Sequence, residues 1–224
     1  MSTNTWLAGI AVLACGAILG LYQPEWRLLF YIGKPLATLA IIALALHVHT
    51  DEPRYRRSIV LGLCFGLLGD VLLMLHGEAA FMAGLGSFLL GHIAYLHAYR
   101  QREPLFATRW PFALYAVLSA GVLAWLWSYL PTDLRVPVVV YVVVLGAMAA
   151  QAATVWWRRR DTATACAAIG GACFLASDAI LAIDRFALPF IAAQASLLVL
   201  YWLAQTLIAL SVPPSPDSAR ASSR

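Results

Sequence analysis

Two aspartates, Asp70 and Asp178, lie inside long apolar runs, LGLCFGLLGDVLLML and IGGACFLASDAILAI. A carboxylate at the centre of a membrane-spanning helix costs roughly 2.5–3.5 kcal/mol by insertion scales. Two of them on separate spans imply a polar site inside a helical bundle, because intramembrane carboxylates mark a pathway or a reaction. If the two groups come close in a dry site, they cannot both ionise. One then holds its proton as an acid while the other stays anionic, the division of labour that two carboxyls use on glycosidic bonds. A fitting substrate is an acid-labile bond of a lipid whose headgroup sits at the interface. Asp70, with the more apolar flanks (Leu67, Leu68, Val71, Leu72), is the expected acid; Asp178 has Ser177 beside it.

The elements that must position these groups follow from composition. The chain has 224 residues, 62% hydrophobic and only 12% charged, with mean hydropathy +0.79. Soluble domains carry about 25% charged residues, so the chain reads as an all-α polytopic membrane protein. Eight stretches are long enough to cross about 30 Å of hydrocarbon: residues 5–22, 28–48, 58–76, 81–98, 111–130, 136–157, 162–184 and 189–211. The expected layout is one transmembrane domain over residues 1–212 and a disordered Pro/Ser-rich tail over 213–224. The first span lacks the positive n-region of a signal peptide. All four cysteines fall within spans and read as small apolar packing residues.

Charge sets the orientation. Of the 15 Lys and Arg residues, 11 fall in the connections after spans two, four and six and in the tail. The positive-inside rule puts that side, with both termini, in the cytoplasm; a bacterial cell membrane is the expected location, and no nucleic-acid partner is implied. With spans three and seven running outward and span two inward, Asp70, Asp178 and Lys34 all lie about 9 Å from the outer edge at 1.5 Å per residue. Lys34, next to a helix-loosening Pro35, is placed to hold a lipid phosphate. His92, Tyr95 and Tyr99 share a face of span four, and Gln194, Tyr201 and Gln205 form a similar stripe on span eight. Gly62, Gly66 and Gly69 allow close packing and leave room beside Asp70. Spacing hints at a four-plus-four repeat: Cys64-Phe65 precedes Asp70 as Cys173-Phe174 precedes Asp178, and Phe81 to His92 matches Phe190 to Tyr201.

A metal hydrolase needs three or four ligands around one point; no HExxH occurs, and a zinc site would have to use Asp70, Asp178 and His92. A serine hydrolase lacks its GxSxG elbow. A lipid or proton-coupled transporter using the aspartates as a relay remains open beside the hydrolase.

At these residues the chain resembles the YhhN family of integral membrane proteins. The resemblance rests on Lys34-Pro35, GLLGD ending at Asp70, Phe81 followed by FLLGHIAY with His92 and Tyr95, GACFLASD ending at Asp178, and YWLAQ with Tyr201 and Gln205. It implies a lysoplasmalogenase-like enzyme that hydrolyses the vinyl-ether bond of a lysophospholipid to a fatty aldehyde and a glycerophospho-base. Asp70 and Asp178 would be its essential carboxylates, and Lys34, His92, Tyr95, Tyr201 and Gln205 its substrate pocket. No metal or other cofactor is implied, and the oligomeric state is not legible.

Overall fold

A computed structural model describes residues 2–215. It contains eight α-helices and no strand among the described residues: α1 (Thr3–Tyr22), α2 (Arg27–His47), α3 (Pro53–Met74), α4 (Glu78–Arg100), α5 (Trp110–Leu126), α6 (Arg135–Arg159), α7 (Thr162–Phe186) and α8 (Ala193–Leu210). Seven of the eight are long and apolar enough to cross a membrane. The exception, α5, has 17 residues, about 25 Å at 1.5 Å per residue, and continues into a turn. The expected tail falls beyond the described residues from 216 on; Ser215 donates its N–H to the His49 carbonyl at 2.7 Å.

Local chemistry sets the boundaries. Ser2 caps α1 and Asp161 caps α7, each accepting from a backbone N–H three residues on, which satisfies donors that a helix start leaves open. Pro53 and Pro111 sit in first turns, where a missing N–H costs nothing. Arg160, in the left-handed conformation at φ 58°, ends α6. Pro35 does not break α2, which runs through it unbroken.

Consecutive helices pair as four hairpins, α1 with α2, α3 with α4, α5 with α6 and α7 with α8. Of the contacts that join the halves of the chain, the most extensive are α2 with α8 and α4 with α6. Exchanging the first four helices for the last four maps one of these contacts onto the other, in line with the four-plus-four repeat. The main core draws on every helix except α5 and centres on Ile41, Ile59, Tyr95, Met148, Phe174 and Tyr201. The shorter α5 lies at the edge, packed on α6 through Tyr115 against Ala149, Ala150 and Ala153.

The Arg-rich connections are also structural. Arg102 pairs with Glu52 at 2.9 Å and lies 3.6 Å over the Tyr55 ring. Tyr55 in turn shares a 2.7 Å hydrogen bond with Ser211. Glu103 receives Arg158 and Arg159.

The glycines beside Asp70 are occupied rather than open. A Cβ on Gly69 would lie 2.7 Å from the Phe88 ring, and one on Gly66 would lie 3.2 Å from the Tyr201 hydroxyl and strike the Gln205 amide. The space read in the sequence as room for a ligand is therefore filled by side chains of α4 and α8. Gly69→Val is expected to destabilise the fold by about 1–3 kcal/mol through overpacking, read as a lowered thermal midpoint in detergent; an unchanged midpoint would contradict this packing.

Candidate active site

The chemistry-bearing side chains form two clusters, one around each aspartate. Asp70 is fully buried. Its Oδ1 faces the Lys34 ammonium at 3.3 Å, while Oδ2 accepts from the Thr38 hydroxyl at 2.7 Å and the Tyr201 hydroxyl at 2.8 Å. Lys34 and Thr38 are one turn apart on α2 and so present a common face to α3. Tyr201 reaches across from α8, and behind it the Gln205 amide donates to Tyr201 at 3.0 Å. Tyr95 donates to Gln205 Oε1 at 2.5 Å. A cation and two hydroxyl donors around one carboxyl match the anionic form of Asp70.

Asp178 is arranged differently. The Tyr141 hydroxyl on α6 donates a short hydrogen bond to Asp178 Oδ2. His92 Nε2, from α4, lies 3.0 Å from the Tyr141 oxygen and 3.6 Å from Asp178 Oδ2. The Tyr141 proton is committed to Asp178, so we infer that Nε2 carries the imidazole proton and donates to the Tyr141 oxygen. His92 Nδ1 is buried without a hydrogen-bond partner.

The two carboxylates share no partner. Phe174 stands between the clusters, its ring 4.5 Å from that of His92 and 5.6 Å from that of Tyr201, and Phe88 packs edge-on against both Phe174 and Tyr201. The expectation of a single proton shared by two adjacent carboxyls is not what the geometry shows. Lys34 likewise differs from the expectation of a free phosphate ligand: it is 7% exposed and paired with Asp70.

The Asp178 cluster opens onto space. A cavity of about 400 Å³ runs among α4, α5, α6 and α7, and Asp178 is the one charged side chain in its wall. Tyr141 also lines it; Asp70 does not. The volume falls within the range of small-molecule sites, about 300–1,000 Å³. The remaining wall is almost wholly apolar, from Leu114, Tyr115 and Ala172 at one end to Phe81, Leu126 and Phe186 at the other. Among the described residues no three His, Cys, Asp or Glu side chains gather closely enough to hold a metal ion.

The YhhN family profile matches residues 29–212. The chain belongs to the YhhN family. It is 36% identical over 163 residues to a protein of Mycobacterium tuberculosis (strain CDC 1551 / Oshkosh) named lysoplasmalogenase, an alignment covering 68% of this chain and 59% of that relative. The chain thus spans less than two thirds of the mycobacterial protein. It is 31% identical to a Bos taurus protein named lysoplasmalogenase TMEM86A, covering 87% of this chain and 82% of the relative. An Escherichia coli O157:H7 protein named uncharacterized membrane protein YhhN is 32% identical over 68% of this chain and 70% of its own length. No solved structure matches the chain. Apolar helices and membership of this family make it an integral membrane protein.

Of the expected site residues, Lys34 and Tyr201 join Asp70, with Gln205 and Tyr95 behind them, whereas His92 joins Asp178. Gln194 instead bonds Asp184 at 3.2 Å near the end of α7. Tyr141 and Thr38 went unread in the sequence. Tyr141 lies in VVVYVVVL, with no ionisable neighbour to flag it. Its one signal is register: Lys34 to Tyr141, Asp70 to Asp178 and His92 to Tyr201 are each displaced by 107–109 residues.

Lys34→Met leaves the Asp70 carboxylate buried without its cation and is expected to destabilise the protein by about 3–5 kcal/mol. The double variant Lys34→Met/Asp70→Asn should regain most of that loss. Thermal unfolding in detergent checks both, and a single variant as stable as the parent would contradict the pairing.

Proposed function

We propose that this YhhN protein is a membrane-embedded hydrolase that cleaves the vinyl-ether bond of lysoplasmalogens by acid–base chemistry centred on Asp178. The observation that carries the reading is a lone carboxyl, held by Tyr141 and His92, in the wall of an apolar cavity of about 400 Å³. The names of the mycobacterial and bovine relatives support the same substrate. An alkenyl chain suits the apolar wall, and its ether would lie at the one charged side chain that lines it.

In the protonated state Asp178 gives its proton to the β-carbon of the vinyl ether, whose double-bond electrons form the new C–H bond. The positive charge then resides on the α-carbon and ether oxygen as an oxocarbenium ion. Asp178, now a carboxylate, stabilises that cation and accepts a proton from the attacking water. The hemiacetal so formed collapses to a fatty aldehyde and the glycerophospho-base alcohol. Tyr141 and His92 fix the carboxyl on the cavity side. Asp70, anionic against Lys34 and away from the cavity wall, acts as a positioning residue through Tyr201 and Phe174. This assignment of the acid replaces the one read from the apolar flanks of Asp70. In this reading the Arg-rich connections and both termini face the cytoplasm.

Purified protein in detergent, incubated with a 1-alkenyl lysolipid, is expected to release aldehyde, and a chelator should not change the rate. Detergent solution has no compartments, so product formation there separates hydrolysis from transport. Asp178→Asn should lower kcat by at least about 10²-fold with helical content and elution unchanged. Parental turnover by Asp178→Asn would reject its role. Asp70→Asn is expected to lower kcat as well, with little change in KM.

A further inference from the structure

With Lys34 committed to Asp70, the anionic headgroup of a lysophospholipid has no cation in either carboxylate cluster. Two cations stand just beyond one end of the cavity. Arg185, near the end of α7, places its guanidinium 5.0 Å over the ring of Phe81. Phe81 lines the cavity and packs edge-on against Phe186 at 6.0 Å. Arg135, which opens α6, sits 4.9 Å over the ring of Trp127, and its Nε is buried with no hydrogen-bond partner. Their neighbours Leu134 and Phe186 belong to one apolar cluster, so both arginines stand at the same end.

Neither guanidinium is neutralised. Arginine–carboxylate pairs among the described residues belong to Arg102, Arg158 and Arg159. Asp184, next to Arg185 in sequence, instead accepts from the Phe190 amide at 3.3 Å and the Gln194 side chain at 3.2 Å. An arginine stacked on an aromatic face keeps its edge donors free for a bidentate phosphate contact.

Spacing matches as well. Arg185 follows Asp178 by seven residues, two helical turns, and so lies on the same face about 10 Å away. In a lysoplasmalogen six bonds separate the vinyl carbon bearing the ether oxygen from phosphorus. Six extended single bonds span about 7 Å, as two residues of extended backbone do, and a charge-assisted hydrogen bond adds about 3 Å.

We propose that Arg185, with Arg135 at the same mouth, binds the phosphodiester of the lysolipid headgroup and thereby sets the ether at Asp178. This rests on the lysophospholipid reading above. It also gives the chain a direction, with its headgroup at the Phe186 end and its hydrocarbon toward Ala172.

The test uses ligands that lack the cleavable bond: a 1-O-alkyl glycerophosphoethanolamine and the matching phosphate-free 1-O-alkylglycerol, titrated against the full chain in detergent by tryptophan fluorescence. The parent protein should bind the phosphorylated ligand at least about 10-fold more tightly. Arg185→Gln should remove most of that preference, Arg135→Gln part of it, and Arg185→Lys should retain some, all with unchanged affinity for the alkylglycerol. Equal affinities in the parent, or equal loss of both ligands in Arg185→Gln, would overturn the proposal. Inorganic phosphate at the same concentration should not displace the lipid; displacement as effective as by the lysolipid would overturn the headgroup assignment. Phosphate-dependent binding without aldehyde release would support this site and reject only the hydrolytic chemistry.

Discussion

A carboxylate at membrane depth must be surrounded by donors, because nothing in hydrocarbon replaces the water it has lost. This bundle draws the groups around both aspartates from corresponding helices. Each aspartate is held by a residue from the preceding helix of its own half, Lys34 for Asp70 and Tyr141 for Asp178. Each is also approached by a residue from the last helix of the other half, Tyr201 for Asp70 and His92 for Asp178. The donors therefore come from both halves, and neither half can satisfy its own carboxylate alone.

That exchange explains the packing. For Tyr201 to reach Asp70, α8 must lie against α2 and α3, and Gly66 lets the Tyr201–Gln205 stripe approach α3 without a clash. For His92 to reach Asp178, α4 must lie against α6, the counterpart contact under exchange of halves. The rings of Phe88, Phe174 and Tyr201 fill the centre where these helices meet. Helix association in lipid lacks a hydrophobic driving force and relies on close packing and interhelical hydrogen bonds, and here both operate at the same residues.

Much of this was legible in the sequence because membrane proteins advertise it. An apolar run near 20 residues long can be little else, so the eight helices and their order follow from hydropathy. A lone charge in such a run names itself, as Asp70, Asp178 and Lys34 do. What sequence could not supply was which charge meets which. Lys34, Asp70 and Asp178 are expected at one depth from their spans, and depth alone cannot tell a lysine that faces a headgroup from one turned toward a neighbouring helix. Tyr141 was invisible for a related reason. A tyrosine among valines carries no hydropathy signal, and its role comes from α6 packing against α7, a long-range fact. The cavity is likewise a property of the assembled helices, since its wall is drawn from residues no different in type from those that pack the core.

The two halves differ in the side chains around each carboxylate, Lys34, Thr38 and Tyr201 for Asp70 against Tyr141 and His92 for Asp178. Lysine at the α2 position places a cation 3.3 Å from Asp70 Oδ1, and the Thr38 and Tyr201 hydroxyls close the cluster around Oδ2. Tyrosine at the equivalent α6 position supplies one neutral hydroxyl, and the imidazole beyond it lies at 3.6 Å, too far for a strong hydrogen bond. Asp178 therefore has fewer close donors than Asp70, and it has a cavity on its open side. One carboxylate is thus enclosed by a cation and two hydroxyls, while the other faces the cavity with a tyrosine and a histidine behind it.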